Sequence, residues 1–401
     1  MTVLQPMTKV LIIGSGLAGS ALAQILRKDN VQFEIFERDS GTRPQGWTIA
    51  LDESECLEDL SRLLPEDIPN LATASPNFHL NKIDSFTVMD GMTHQVLGVT
   101  NTKNMGGSVP SVFANRLNLR DVLTKHVKIQ YSKHFVRYEE DRDGVTIYFK
   151  DGTSARGDIL VGADGANSLV RNQLLPGFKA DPSPYLTALC KVILTKDLYE
   201  PLLEHSSNGP LIAAPNVKAY CLLMEYLEDG RATFNWTVSW RSKDPTEHAE
   251  MVAAGPAAQL GTVKELLKDF PSIMVNAIAQ SKASDLQWPP VRLMETVLPL
   301  QGLPRGRITL LGDGAHSMVP FRGMGANTAL LDACNLGEGL TKGVQAKEDL
   351  QWVLQTYEEK MIPRGRQKVL ESRATADSDD AHEISGGRIK ANGTSIPIPV
   401  R

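Results

Sequence analysis

Residues 310–327, "LLGDGAHSMVPFRGMGAN", set an acid (Asp313), a histidine (His316) and a proline (Pro320) among glycines, between an apolar run and a helical pattern. Glycines at a helix start let its first N–H groups approach an electron-rich partner, since those donors have no acceptor inside the helix. Asp313 offers a carboxylate to hydroxyl donors. His316 invites a general-base role, but histidines beside turns often satisfy nearby carbonyls, and it is read as structural.

Two further stretches have the same grammar. Gly14-Ser15-Gly16-Leu17-Ala18-Gly19 follows the apolar run "KVLIIG" and opens a helical pattern, and the acid Glu37, with Arg38 beside it, ends the next strand. In that setting Gly14 permits a tight turn, Gly16 lets backbone approach a pyrophosphate, and Gly19 lets helix pack on strand. The helix start, with Leu17 and Ala18, favours the phosphate charge, and Glu37 suits ribose hydroxyls. "DILVGADGANSLVR" (158–171) then runs a strand into Asp164-Gly165, followed by Ser168 and Arg171. Alone, it reads as an Asp-Gly turn capping a helix. Beside Gly312-Asp313 it reads as one of a pair of dinucleotide-facing acids. A nicotinamide site has no use for the second acid, whereas a flavin's hydroxylated ribityl chain does.

The elements that must position these residues follow from pattern. "KVLIIG" (9–14), the helical segment after it and "FEIFER" (33–38) make a strand–helix–strand unit of parallel type. "NRLNLRDVLTKHV" (115–127) spaces Leu119, Leu123 and Val127 on one helix face, and "FVRYEEDRDGVTIYFKDG" (135–152) alternates about an Asp-Gly turn as a hairpin. "IDSFTVMD" (83–90), "YCLLMEYL" and "RATFNWTVSW" form a separate antiparallel sheet, whose Tyr220, Tyr226, Trp236, Trp240 and Met224 either roof an apolar pocket or fill the sheet's own core. "RITLLGD" restores the buried-strand pattern, helices follow over 325–341 and 347–370, and a polar tail ends the chain. Asn235-Trp236-Thr237 and Asn392-Gly393-Thr394 match glycosylation acceptors, which matters only for a secreted chain.

Composition bounds the rest. The 401 residues suit two domains or one with a large insertion, and 42% hydrophobic with 22% charged residues is ordinary for a globular protein. A net charge of −5 leaves no basic excess for nucleic acid. Four dispersed cysteines (Cys56, Cys190, Cys221, Cys334) exclude a CxxC dithiol and fit a reducing compartment; no metal cluster is visible. "KVLIIGSGLAGSALA" has the outline of a secretory signal, but cleavage after it would remove a strand and the whole glycine loop. No run approaches the roughly 18 apolar residues of a membrane span. The expectation is a soluble, cytoplasmic protein.

Together, Gly14-x-Gly16-x-x-Gly19 with Glu37, Asp164-Gly165 and Gly312-Asp313 resemble, in order over roughly residues 8–340, the three fingerprints of the single-component FAD-dependent aromatic hydroxylases, the para-hydroxybenzoate hydroxylase type. "RLNLRDVL" is similar to that family's Arg-x-x-Leu helix, which puts Arg116 on the FAD, and "RPQGWTIAL" (43–51) is similar to the segment passing the flavin, which implicates Gly46 and Thr48. The resemblance implies Asp313 on the ribityl hydroxyls, Pro320 beside the flavin ring, and Gly323, Gly325, Ala326 and Asn327 with N–H groups toward its pyrimidine edge. Met324 and Arg322 depart from the residues common there; Tyr220 and Arg322 are the candidate substrate-polarising groups.

The implied activity is a monooxygenase: NADPH or NADH, visiting transiently, reduces FAD, and O₂ then adds at flavin C4a. That hydroperoxide hydroxylates or epoxidises a small aromatic or polycyclic substrate. The alternatives are a flavin-dependent reductase on the same fold, or a non-redox FAD-binding protein. The implied fold is α/β: a discontinuous Rossmann-like FAD-binding domain (1–75, 106–178 and 288–372), an inserted antiparallel-sheet substrate domain (76–105 and 179–287), C-terminal helices and a tail over 373–401, as a monomer or homodimer.

Overall fold

The computed structural model describes residues 8–41, 47–82, 84–101, 112–204 and 206–378. Lys9–Ile13 buries Val10 to Ile13, as its β-branched apolar run requires. It is the middle strand of a five-stranded parallel sheet, ordered Ile308–Leu310, Ile159–Gly162, Lys9–Ile13, Gln32–Phe36, Ile129–Gln130. The helix Leu17–Lys28 turns Ala21, Leu22, Ile25 and Leu26 into the core and packs on the long helix Met324–Ala346. Glycine permits that approach: a Cβ at Gly337 would lie 2.7 Å from Ile25 Cγ2.

The expected hairpin is Phe135–Glu140 with Val145–Phe149, extended by Ser154–Gly157. Its turn is held by Asp141 Oδ1, which accepts from the N–H groups of Asp143 and Gly144 at 2.8 and 3.0 Å. The helix Arg116–Thr124 buries Leu119 and Leu123 and stops before Val127.

The second layer is a seven-stranded sheet, ordered Val291–Glu295, Asp181–Leu194, Ala232–Arg241, Val217–Tyr226, Pro210–Ala214, Ser85–Asp90, Val96–Asn101. Strand alternation decides what each face does. Cys221, Phe234, Trp236, Val238 and Trp240 pack against Met251, Val263 and Met274 of three helices on one side. Each large side chain fully buried this way stabilises by roughly 1.5–3 kcal/mol. Trp236 and Trp240 are therefore sheet core. Tyr220, Leu222, Asn235 and Thr237 lie on the opposite face, toward the parallel-sheet domain. The two domains are clasped there: Thr48 donates its N–H to Asn235 Oδ1 at 2.9 Å and its hydroxyl to the Leu223 carbonyl at 2.7 Å. Asn235 is buried, which closes that glycosylation motif.

Two stretches near the expected boundaries have defined partners. Val291–Glu295, inside the stretch 288–372, pairs with Asp181–Leu194 and so belongs to the seven-stranded sheet. The last helix runs over Leu350–Asp377, so residues 373–377 are helical rather than tail. Its end is gripped from a distant strand. The buried Lys218 ammonium donates to the carbonyls of Ala376 and Ser378 at 2.6 and 3.2 Å, and the Tyr185 hydroxyl donates to Ala376 at 2.5 Å. A cation at a helix C-terminus is favoured by the dipole.

The glycine loop makes a contrast that can be measured. A Cβ at Gly19 would sit 2.1 Å from the Gly14 carbonyl oxygen, whereas one at Gly16 would meet nothing within 4 Å. Gly19→Ala is expected to destabilise the apoprotein by about 3 kcal/mol or more. Gly16→Ala should stay within about 0.5 kcal/mol of the parent. Denaturant unfolding of both ligand-free variants checks this; equal stabilities would refute the packing assignment.

Candidate active site

Where the central parallel strand ends, the chain turns on Gly14, with φ of +103°, and its N–H donates to the Phe36 carbonyl at 2.8 Å. A side chain there would collide with the Ala163 carbonyl oxygen, 2.3 Å from the Cβ position. Gly16 then begins the helix with no side-chain cap, leaving the first-turn donors open on an unobstructed face.

Glu37 ends the next strand and reaches back. Its Oε2 accepts from the N–H and hydroxyl of Ser15, both at 3.0 Å, and Oε1 accepts from the Asp39 N–H at 3.1 Å. Burial alone would raise this carboxyl, but the Ser15 and Asp39 donors and Arg120 outweigh it and hold it below its ordinary value of 4.5. The stability carried by ionised Glu37 is thus present above that value and lost as pH falls through the lowered one. Arg38 beside it is exposed. Arg120 is buried and donates to the Ser15 carbonyl at 3.1 Å and to its hydroxyl at 2.9 Å. The sequence motifs do not single out Arg120. Its position four residues after Arg116, on one helix face, is the signal that marks it.

The second and third turns close on the first. Asp164 Oδ2 accepts from the N–H groups of Leu169 and Val170 at 2.7 and 3.2 Å, the first two of the helix Leu169–Leu174, whose N-cap is Ser168. Its other oxygen is buried without a hydrogen-bond partner among the described residues, and burial pushes the carboxyl above its ordinary range. Arg171 ties this segment to the next, donating to the Gly314 carbonyl at 3.1 Å. Gly312, at φ of +59°, is pressed between helices: a Cβ there would lie 2.9 Å from that of Ala329 and 3.3 Å from that of Ala18. Asp313 follows, exposed in a run of otherwise buried residues. The Arg116 guanidinium is held below its usual range by burial and by Arg120, with the Asp313 carboxylate pulling the other way.

Beyond His316 the chain makes a short turn, Pro320–Arg322, then passes Gly323 at φ of +65° into the uncapped start of the helix Met324–Ala346. Pro320 is exposed, Ala326 is partly buried, and a Cβ at Gly325 would meet only Met318 Cγ, 3.9 Å away. Asn327 commits its side chain inward: Oδ1 accepts from the Asp52 N–H at 2.8 Å, and Nδ2 donates to the carbonyls of Ala50 and Gly323, both at 2.9 Å. Of Asn327, the backbone alone is left to face a ligand. The Thr48 side chain is likewise taken by Leu223, and Gly46 lies outside the described residues.

The candidate substrate-polarising groups find other work. Arg322 is ion-paired with Glu371 of the last helix. Tyr220 donates its hydroxyl to the Phe321 carbonyl at 3.2 Å and so braces the same loop from the sheet. His316 is buried and bonded to Asp332; burial would lower the imidazole, and the carboxylate more than reverses this.

These side chains and turns converge on the carboxyl edge of the parallel sheet, where open α/β sheets bind ligands. An uncapped helix start with an open glycine suits a pyrophosphate, an exposed carboxylate suits a polyol, and a second uncapped helix start suits an electron-rich ring edge. The residues present fit FAD. Comparison with known proteins agrees. The model of the "FAD binding domain" family matches residues 7–372. The FAD-dependent monooxygenase thnD of Trichoderma harzianum is 32% identical over 92% of this chain and 93% of its own. HpxO of Klebsiella pneumoniae, solved with FAD and uric acid, superposes with a TM-score of 0.76 at 20% identity, over 96% of this chain and 92% of its own. The 2,6-dihydroxypyridine-3-hydroxylase of Arthrobacter nicotinovorans does so at 0.74 and 17%, over 98% of each. The chain belongs to the FAD binding domain family and is an FAD-dependent monooxygenase.

Proposed function

We propose that the protein couples NAD(P)H oxidation to insertion of one oxygen atom from O₂ into a small aromatic or polycyclic substrate. The observation that carries this is the meeting of three glycine-marked turns at one sheet edge, two of them with uncapped helix starts. Bound FAD supplies the hydride acceptor and the oxygen activation. The N–H groups of Gly16, Leu17, Ala18 and Gly19 bind its phosphates, and Glu37, with Arg38 beside it, takes the adenosine ribose. Arg116, Asp164 and Asp313 hold the middle of the cofactor, and Pro320 with the backbone of 323–327 faces the ring. Those helix-start donors stabilise negative charge on the reduced ring's pyrimidine edge.

Opposite lies the sheet face carrying Tyr220, Leu222 and Thr237. A flat substrate is placed between that face and the ring, where exclusion of water favours the reaction. Uric acid, bound in one structural neighbour, is a small planar ring, and a second neighbour is named as a hydroxylase of a dihydroxypyridine; both support that class. No helix among the described residues is long and apolar enough to cross a membrane, and four buried, unpaired cysteines support action in the reducing cytoplasm. The functional unit is a monomer or homodimer.

The purified protein is expected to release FAD on denaturation and to oxidise NADPH or NADH in air, faster with a phenolic or polycyclic aromatic probe. Isotopically labelled O₂ should deliver one labelled atom to the product. FAD without any NAD(P)H oxidation across such a panel would favour a non-redox FAD-binding protein; probe reduction without labelled oxygen would favour a reductase.

Gly325→Val tests the ring-facing helix. Met318 Cγ stands 3.9 Å from the added Cβ, so the fold should accept the side chain and a ligand should not. Losing one or two N–H donors to the reduced flavin costs about 1–3 kcal/mol. A two-electron couple moves about 30 mV per 1.4 kcal/mol, so the midpoint potential should fall by tens of millivolts. Potentiometry on the FAD-loaded variant decides; an unchanged potential removes this helix from the flavin's surroundings.

A further inference from the structure

Behind the exposed Asp313 lies a buried polar cluster that makes no direct contact in the proposed cofactor site. Asp332, on the helix Met324–Ala346, is fully buried, and one of its oxygens holds both ends of the turn that presents Asp313. Oδ2 accepts from the Gly312 N–H at 3.2 Å and lies 2.5 Å from His316 Nε2. Within the turn, the N–H groups of Ala315 and His316 close on the Gly312 carbonyl at 2.8 and 3.0 Å. The other oxygen, Oδ1, is ion-paired with Arg364 of the last helix at 2.6 Å. That helix leaves no slack: a Cβ at Gly365 would lie 2.6 Å from His316 Cδ2. Its Tyr357 hydroxyl donates to the Leu310 carbonyl, at 3.0 Å, on the strand that enters the turn.

We propose that Asp332 is a positioning residue for the cofactor: it fixes the turn 312–316, and so the aim of Asp313, relative to the helix start at 323–327. The inference rests on the reading that Asp313 holds the FAD. A buried carboxylate and imidazole with a part-buried guanidinium are seldom the cheapest way to hold a turn. Well-packed apolar residues would do as well or better, so the cluster points to geometric specification. Asp332 and the helix start 323–327 belong to one helix. A carboxylate on that helix therefore sets the spacing between two of the proposed cofactor contacts. Arg364 orients the carboxylate, and His316 carries its hold to the far end of the turn.

The test is a double-mutant cycle of Asp332→Asn with Asp313→Ala, read by FAD titration into apoprotein and by the visible spectrum of the bound flavin. Asp332→Asn should weaken FAD binding about tenfold and shift the spectrum as Asp313→Ala does. In the Asp313→Ala background it should add almost nothing, because contacting residues are coupled. A merely structural role would lower the unfolding temperature and add its effect in both backgrounds. If Asp313→Ala weakens FAD but Asp332→Asn leaves affinity unchanged, or adds its full increment on top, the positioning role is overturned. If Asp313→Ala binds FAD as the parent does, the cofactor-site reading itself fails and this role with it. Should Asp332→Asn not fold, Arg364→Gln carries the same cycle from the partly exposed end of the cluster. Parent-like FAD binding and spectrum in that variant would also overturn the proposal.

Discussion

Everything at the candidate site depends on how closely the backbone after the central strand approaches its neighbours. Gly14 stands where a Cβ would be 2.3 Å from the Ala163 carbonyl oxygen, and Gly19 where one would be 2.1 Å from the carbonyl of Gly14. No side chain fits at either place. Because the loop is this tight, the helix Leu17–Lys28 starts against the ends of both adjacent strands, and the Asp164 and Asp313 turns fall beside it. A sheet that let these strands splay would keep its core and lose the site.

The second constraint is the seating of one domain on the other. Specific bonds between distant residues do it. Thr48 joins its strand to Asn235 and Leu223, Tyr220 braces Phe321, and Lys218 and Tyr185 hold the end of the last helix. That helix returns the hold through Arg322–Glu371 and Arg364–Asp332. The loop 320–322 is thereby gripped by the sheet on one side and the helix on the other. A rigid loop costs little further ordering when a ligand settles against it.

Much of this is legible in the chain because backbone demands leave residue-type marks. Positive φ and close approach select glycine, so Gly14, Gly312 and Gly323 mark the turns by residue type alone. Alternation locates the sheet of the second domain. Pairings between distant residues leave no such mark. Nothing local links Asp332 to Gly312, or Glu371 to Arg322, and Ser15 gives no sign that Glu37 and Arg120 will meet on it. "TADSD" has tail-like composition, which suggests an end to the last helix near residue 370. The helix continues because its carbonyls are satisfied by Lys218 and Tyr185, which are remote in sequence. Val291–Glu295 does not stand out as part of the large sheet because it is a short, half-exposed edge strand. The type of Arg322 suggests a substrate contact, while its partner lies 49 residues on.

That three separate turns form a single FAD site is the proposition on which the rest stands. Amide hydrogen exchange of the apoprotein against the FAD-loaded protein tests it most directly, since protection reports opening free energy segment by segment. Added protection is expected at residues 14–20, 164–168 and 312–327 together, appearing at one FAD concentration. Protection confined to 14–20, with the other two segments exchanging as in the apoprotein, would contradict it.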